Sequence, residues 1–212
     1  MQFIKSKYQI GLTDVVVMQY EDFNPLEYFD QLTEIEKERF FEFKNEKRKQ
    51  EFVATRMLRH DLFGFEHIHY DQVGAPYIKG VGHISISHTD NFIGIAYSKD
   101  YRLGLDIEWI RPKISKIAHK FVSQEEMKFF QLDSIFDLTL VWTAKEAMYK
   151  LSKRKGLSFI SNIKVERKGA DTLIGRVMGN ADVEVLEVQL NYLSLDDLII
   201  TVNSNASEQK YL

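Results

Sequence analysis

The 212-residue chain carries 28 basic and 31 acidic residues, a net charge of −3, with 44% hydrophobic and 13% aromatic residues. That is enough apolar material for one packed domain or two small ones. It gives no overall polycation for nucleic acid, and the absence of cysteine excludes disulfides, thiolate metal sites and a cysteine nucleophile. The start lacks an apolar signal core, and no run of roughly eighteen apolar residues occurs, so a cytoplasmic protein that neither enters nor spans a membrane is expected.

Residues 2–20 read as one or two strands. Pro25 then opens a charged segment, about 26–63, with a helical pattern, in which Thr33 and Glu36 are spaced like a helix-starting capping box. Phe40, Phe43, Phe52, Met57 and Leu58 are its candidate core residues. Gly74-Ala75-Pro76-Tyr77 is turn chemistry, and Gly80 with Gly82 stops any continuing helix. Three strands follow, His83–Ser87, Phe92–Tyr97 and Leu103–Trp109, separated by short polar turns that suggest a meander. Pro112 ends the third. A second helix-rich stretch spans about 115–153, and strands return at Asn162–Arg167, Thr172–Met178, Val183–Leu190 and Leu198–Val202, with Gly169 and Gly179-Asn180 as turn signals. The polar tail from Asn203 is expected to fray. Asn205-Ala206-Ser207 matches a glycosylation acceptor, a chance match without a secretory signal. Helices followed by antiparallel strands thus occur twice, which predicts an α+β protein of two similar halves, residues 1–102 and 103–212.

Chemistry concentrates in two segments. In Gly104-Leu-Asp-Ile-Glu108 a strand's alternation puts Asp106 and Glu108 on one face and Leu105 and Ile107 on the other. In Trp142-Thr-Ala-Lys-Glu-Ala-Met-Tyr-Lys150 helical spacing aligns Trp142, Glu146 and Lys150 on one stripe. Three carboxylates from two elements suit one hard divalent cation, and the cation with Lys150 suits a phosphate. The bland alternatives are a solvated strand face and an i to i+4 ion pair. Ser85, Ser87 and His88 close a strand in which Ile84 and Ile86 are read as inward and the serines as outward, a candidate phosphate cradle. Of the basic residues Lys44, Lys47, Arg48, Lys49, Arg56 and Arg59, most read as a solvated helix face, with Arg56 or Arg59 set deeper and aimed at an anion. Arg111, Lys113, Lys116 and Lys120 form a second basic cluster suited to an acidic protein partner or to solvent alone. His67 and His69 lack a third metal ligand and read as structural.

Five motifs then occur in order: Gly74-Ala75-Pro76, Ile86-Ser87-His88, Gly104 to Glu108, Phe121 to Glu126, and Trp142 to Lys150. In this the chain resembles the 4′-phosphopantetheinyl transferases of the surfactin-synthetase-activating type, over about residues 35–160. The resemblance implies an intramolecular pseudo-dimer with its active site in the cleft between the halves. It also implies Mg²⁺-dependent transfer of 4′-phosphopantetheine from coenzyme A to a serine of an acyl or peptidyl carrier protein, with release of 3′,5′-ADP. By position, Asp106, Glu108 and Glu146 would take the metal, and Glu146 and Lys150 would be catalytic. Lys150 would meet the pyrophosphate, Ser87, His88 and Arg56 would hold the 3′-phosphate end, and Lys145 would assist. Glu146 is the candidate base, with Glu126 or a metal-bound hydroxide as rivals. A carrier protein would dock through Arg111, Lys113, Lys116 and Lys120, and a monomer is expected. Ala75 departs from the family pattern, which has Lys or Arg there, and Lys79 or Lys44 are candidate substitutes. The alternative reading is a non-catalytic homologue that binds coenzyme A or a carrier protein.

Overall fold

The structure is a computed structural model and describes residues 3–179 and 184–204. Asn180, the start of the strand expected from Val183, and Asn205-Ala206-Ser207 lie outside the described residues.

Strands β1 (Phe3–Ile10) and β2 (Thr13–Tyr20) form a hairpin whose turn is possible because Gly11 takes a φ of +59°. A 3₁₀ segment, Pro25–Gln31, leads into α1 (Glu34–Phe40). The expected capping box starts α1: Thr33 Oγ1 accepts from the Glu36 amide, and the Glu36 carboxylate accepts from the Thr33 amide. Helix α2 (Glu46–Phe63) is capped by the Asn45 side chain and stopped by Gly64. Short strands β3 (His69–Tyr70) and β4 (Pro76–Ile78) precede β5 (Gly82–Thr89) and β6 (Phe92–Ser98). Then come β7 (Leu105–Trp109), 3₁₀ segments at Pro112–Lys120 and Glu126–Lys128, α3 (Ile135–Ser152), β8 (Ile163–Arg167), β9 (Thr172–Met178), β10 (Glu184–Leu195) and β11 (Leu198–Asn203).

The fold is α+β, with two antiparallel sheets. Their strand orders are β1-β2-β6-β5-β4-β3 and β7-β11-β10-β9-β8. The same path is drawn twice: a strand, a long helix, then four strands of which the last returns beside the first. In the first pass the strand is β2 and the helix α2; in the second they are β7 and α3. Three apolar layers hold the assembly together. Val16, Met18, Ile93 and Ile95 of the first sheet pack on Phe52, Val53, Met57 and Leu58 of α2. The opposite face of that sheet, with Val15, Val17 and Ala96, meets Leu105, Ile107, Leu198, Ile200 and Val202 of the second. The far side of the second sheet is covered by α3 through Val141, Ala144 and Met148.

The expected meander of three strands does not form. β6 is already paired on both edges, with β5 and with β2, so β7 leaves for the second sheet and pairs with β11. The frayed tail is corrected at its start: Asn203 is fully buried at the end of β11, where its Oδ1 accepts from the Gly104 amide at 2.8 Å and its Nδ2 donates to the Arg102 carbonyl. Among the described residues no helix is long and apolar enough to cross a membrane.

Candidate active site

The site is built where β7 passes between β5 and α3. Leu105 and Ile107 are fully buried in the layer between the sheets, so Asp106 and Glu108 must point the other way, toward α3. Helix α3 begins at the Ser134 cap and aims Trp142, Glu146 and Lys150 back at that face. Gly104 allows this approach, because a β-carbon there would lie 2.0 Å from the Ala147 carbonyl oxygen of α3. The Lys150 ammonium donates to Asp106 Oδ1 at 2.8 Å, to the Leu105 carbonyl at 2.8 Å and to Ser87 Oγ at 3.2 Å.

The three carboxylates named from the sequence are mutually within electrostatic reach, and the cost is visible. Glu146 is pushed up to about 7, first by burial, then by Asp106 and Glu108, with Lys150 pulling it down. Glu108 is raised for the same reasons, burial first and Asp106 second, while Thr89, Lys113 and Trp142 oppose the shift. Of its two flanking lysines only Lys150 faces Glu146 and favours its ionised form. Asp106 Oδ2 is buried and has no hydrogen-bond partner. A buried carboxylate oxygen without a donor, beside two acids raised by repulsion, is a donor set short of positive charge, and a divalent cation fits it. Among the described residues no three or more His, Cys, Asp or Glu side chains are gathered closely enough to form a metal site by themselves. Mg²⁺ needs only one or two carboxylates, keeping water for the rest.

Four expectations are revised by placement. Ser85 and Ser87 face inward, each 3% exposed, rather than outward. Both faces of β5 are covered, so alternation alone could not tell which faces the core. Their hydroxyls serve the unpaired edge of β7: Ser85 Oγ accepts from the Leu105 amide at 2.9 Å and Ser87 Oγ from the Ile107 amide at 3.1 Å, while the Ser87 hydroxyl donates to Asp106 Oδ1 at 2.9 Å. His88, the neighbour of Ser87, consequently lies on the opposite face of β5, toward α2, so the two do not form one cradle. Its Nε2 accepts from Arg48 at 2.8 Å and lies 3.3 Å from Glu51, and partial burial, with Arg48 and Lys150, holds its pKa below the usual range. Lys145 does not reach the site. One position from Glu146 it points into the core, where all three of its protons go to the Phe121 and Phe159 carbonyls and to Glu126. Burial lowers its pKa to about 8, with Glu126 pulling it back. Glu126 is equally committed, accepting from Ser123, Lys145 and the Val165 amide, which removes it as a base.

Beside the carboxylates lies a cavity of about 430 Å³, lined by Arg48 and Arg56 of α2, Tyr70 and His88 of the first sheet, Ala75 of the loop before β4, and Lys150 of α3 with the residues after it. Arg56, 4% exposed, donates to the Tyr70 hydroxyl and lies over the Phe52 ring, with its Nε 3.4 Å from buried Glu36. Arg59 is wholly buried in an ion pair with Glu36 and does not line this cavity. His67 approaches Glu36, and its ring meets that of His69, in keeping with structural roles. Arg48 is not merely solvated: two turns before Thr55, it lies on the cavity side of α2. Tyr70 and the basic run Lys153-Arg154-Lys155 also line the cavity, which the sequence does not signal, since a lone tyrosine and a charge run after a helix carry no specific spacing.

Residues 102–202 match the model of the 4′-phosphopantetheinyl transferase superfamily. The match covers somewhat less than half the chain and contains Asp106, Glu108, Glu146 and Lys150. No curated protein matches the chain.

Proposed function

We propose that the protein transfers the 4′-phosphopantetheine group of coenzyme A to a serine hydroxyl of an acyl or peptidyl carrier protein, with Mg²⁺ bound by Asp106, Glu108 and Glu146, and that it resembles most the surfactin-synthetase-activating type. One observation carries the reading: Lys150 belongs both to the carboxylate cluster, through Asp106, and to the cavity wall, within the segment matched to the superfamily. A divalent cation on the carboxylates would neutralise charge developing on the phosphate oxygens of the departing nucleotide.

The chain's own residues divide the remaining work. The carrier serine gives its proton to the Glu146 carboxylate. Its oxygen attacks the pantetheine-side phosphorus, the bond to the bridging oxygen breaks, and 3′,5′-ADP leaves with that electron pair. Lys150 donates to a non-bridging oxygen, exchanging one of its present acceptors for the phosphate. Ser87 keeps Asp106 oriented as a positioning residue. Arg56 and His88 line the cavity that takes the nucleotide. His88, held neutral, offers a hydrogen bond rather than a charge.

The carrier would meet the face formed by Lys113, Lys116 and Lys120, all exposed on the 3₁₀ segment after β7. Arg111 is turned away from that face, bonded to Asp90 at 2.5 Å and lying over the Trp109 ring.

The test is carrier-dependent release of 3′,5′-ADP from coenzyme A. Release is expected only when apo carrier, Mg²⁺ and protein are all present, and is expected to vanish when the carrier's acceptor serine is alanine. Coenzyme A that binds but is never cleaved across several carriers would favour a binding protein instead.

A further inference from the structure

The cavity's charges are unevenly satisfied. Toward α2 and the carboxylates Arg48 bonds Glu51, Arg56 lies beside Glu36, Lys150 holds Asp106, and Arg39 lies over the Tyr70 ring. Where the chain enters β7 and where it leaves α3, Arg102, Lys153, Arg154 and Lys155 all line the same cavity. Only Lys153 has an acidic partner in that group. Among the described residues Arg102, Arg154 and Lys155 make no ion pair.

The backbone and the one ion pair here are unusual together. Lys153 ends α3 in the left-handed region, φ +54°, which strongly favours glycine. Its ammonium donates to Asp71 Oδ2 at 2.6 Å, from the loop that precedes β4. Asp71 Oδ1 in turn accepts from the amides of Val73 and Ala75, at 3.1 and 2.9 Å. One carboxylate thus shapes the loop carrying Ala75 and ties it to the chain leaving α3. Burial and then the charges of Lys153 and Arg102 lower the pKa of His83, which lies on the same wall, so positive potential converges there. Ala75 contributes no charge.

We propose that Arg102, Arg154 and Lys155 form a phosphate-binding wall of this cavity, held against the 71–75 loop by the Lys153–Asp71 bridge. Unpaired cations on a concave wall concentrate anions, and guanidinium matches phosphate geometry. The inference rests on the reading that the cavity takes coenzyme A, and deepens it by naming the side chains that hold one of its phosphates. The chemistry is a phosphate ester, either the ribose 3′-phosphate or the pyrophosphate.

The test is equilibrium binding of coenzyme A and of dephospho-coenzyme A to the full chain, by calorimetry, for wild type, Arg102→Ala and the double variant Arg154→Ala/Lys155→Ala. These exposed or half-exposed sites leave folding intact, as matched thermal melts would verify. The double variant is expected to bind coenzyme A about tenfold or more weakly, with a shallower salt dependence. A loss confined to coenzyme A assigns the wall to the 3′-phosphate; an equal loss for both ligands assigns it to the pyrophosphate. Asp71→Asn, which keeps both amide caps and removes the bridge, is expected to weaken coenzyme A about threefold. Dissociation constants within twofold of wild type in every variant would overturn the inference while leaving the transferase reading intact. Failure of the wild-type protein to bind coenzyme A would overturn both.

Discussion

Glu146 carries the heaviest burden of any side chain here, because its raised pKa and its position beside Asp106 and Lys150 both follow from burial on α3. Folded, it holds a proton until about pH 7; unfolded, it releases that proton near its ordinary value of 4.5. Between those values the folded state binds more protons, so this residue's contribution to stability falls as pH rises through the window and levels off above it. The melting temperature of metal-free Glu146→Gln, relative to wild type, should therefore climb from pH 5 to pH 8, and Mg²⁺ should narrow the gap at pH 8. A gap that shrinks with pH in the absence of metal would contradict the assignment. In transfer assays the same variant should lose about 10² to 10⁴ in rate while remaining folded, the usual worth of a general base. At this scale the acids and Lys150 were legible in the sequence because periods of two and four are fixed by strand and helix geometry. The roles of Ser85, Ser87 and Lys145 were not: a hydroxyl that caps a neighbouring strand's edge looks the same in sequence as one that faces solvent.

The elements meet through two glycines and two serines. Gly104 lets β7 lie against α3, and a β-carbon at Gly94 would fall 2.2 Å from Ile107 Cδ1, so β6 also needs the space beneath β7. Gly104→Ala would strike backbone, which cannot rotate aside, and is expected to cost about 1–3 kcal/mol and to separate Asp106 from Lys150. Chemical denaturation would measure the first and loss of transfer the second. Ser87→Ala leaves the Ile107 amide and Asp106 Oδ1 each short of a partner, and should cost about 1–3 kcal/mol. A variant as stable as wild type would show that the β5–β7 junction does not depend on this hydroxyl. Most elements could be read from turn residues and alternation, including the capping box at Thr33 and Glu36. The pairing of β7 could not. Three strand-like runs with short turns describe a meander equally well whichever sheet the third one joins, and only the full edges of β6 decide it.

Across the whole molecule, the repeated path of strand, helix and four returning strands bears out two similar α+β layouts, although the halves share no readable sequence repeat. The layer between the sheets draws on both, with Val15, Val17 and Ala96 facing Leu105, Ile107, Ile200 and Val202. We expect the segment 103–212 expressed alone to expose that apolar face and to associate or unfold, as sedimentation and circular dichroism would report; a stable monomer would show that the layer is dispensable. The cavity is lined by segments far apart in the chain, from α2 and the first sheet to α3 and the residues after it, which is why its lining was hidden from a reading taken segment by segment. The central claim is transfer of phosphopantetheine to a carrier serine. Its most direct measurement is the intact mass of an apo carrier protein after incubation with this protein, coenzyme A and Mg²⁺. A gain of one phosphopantetheine per carrier, lost with Glu146→Gln, is the result expected; an unchanged carrier mass across fatty acid, polyketide and peptide carriers, with coenzyme A demonstrably bound, would contradict it.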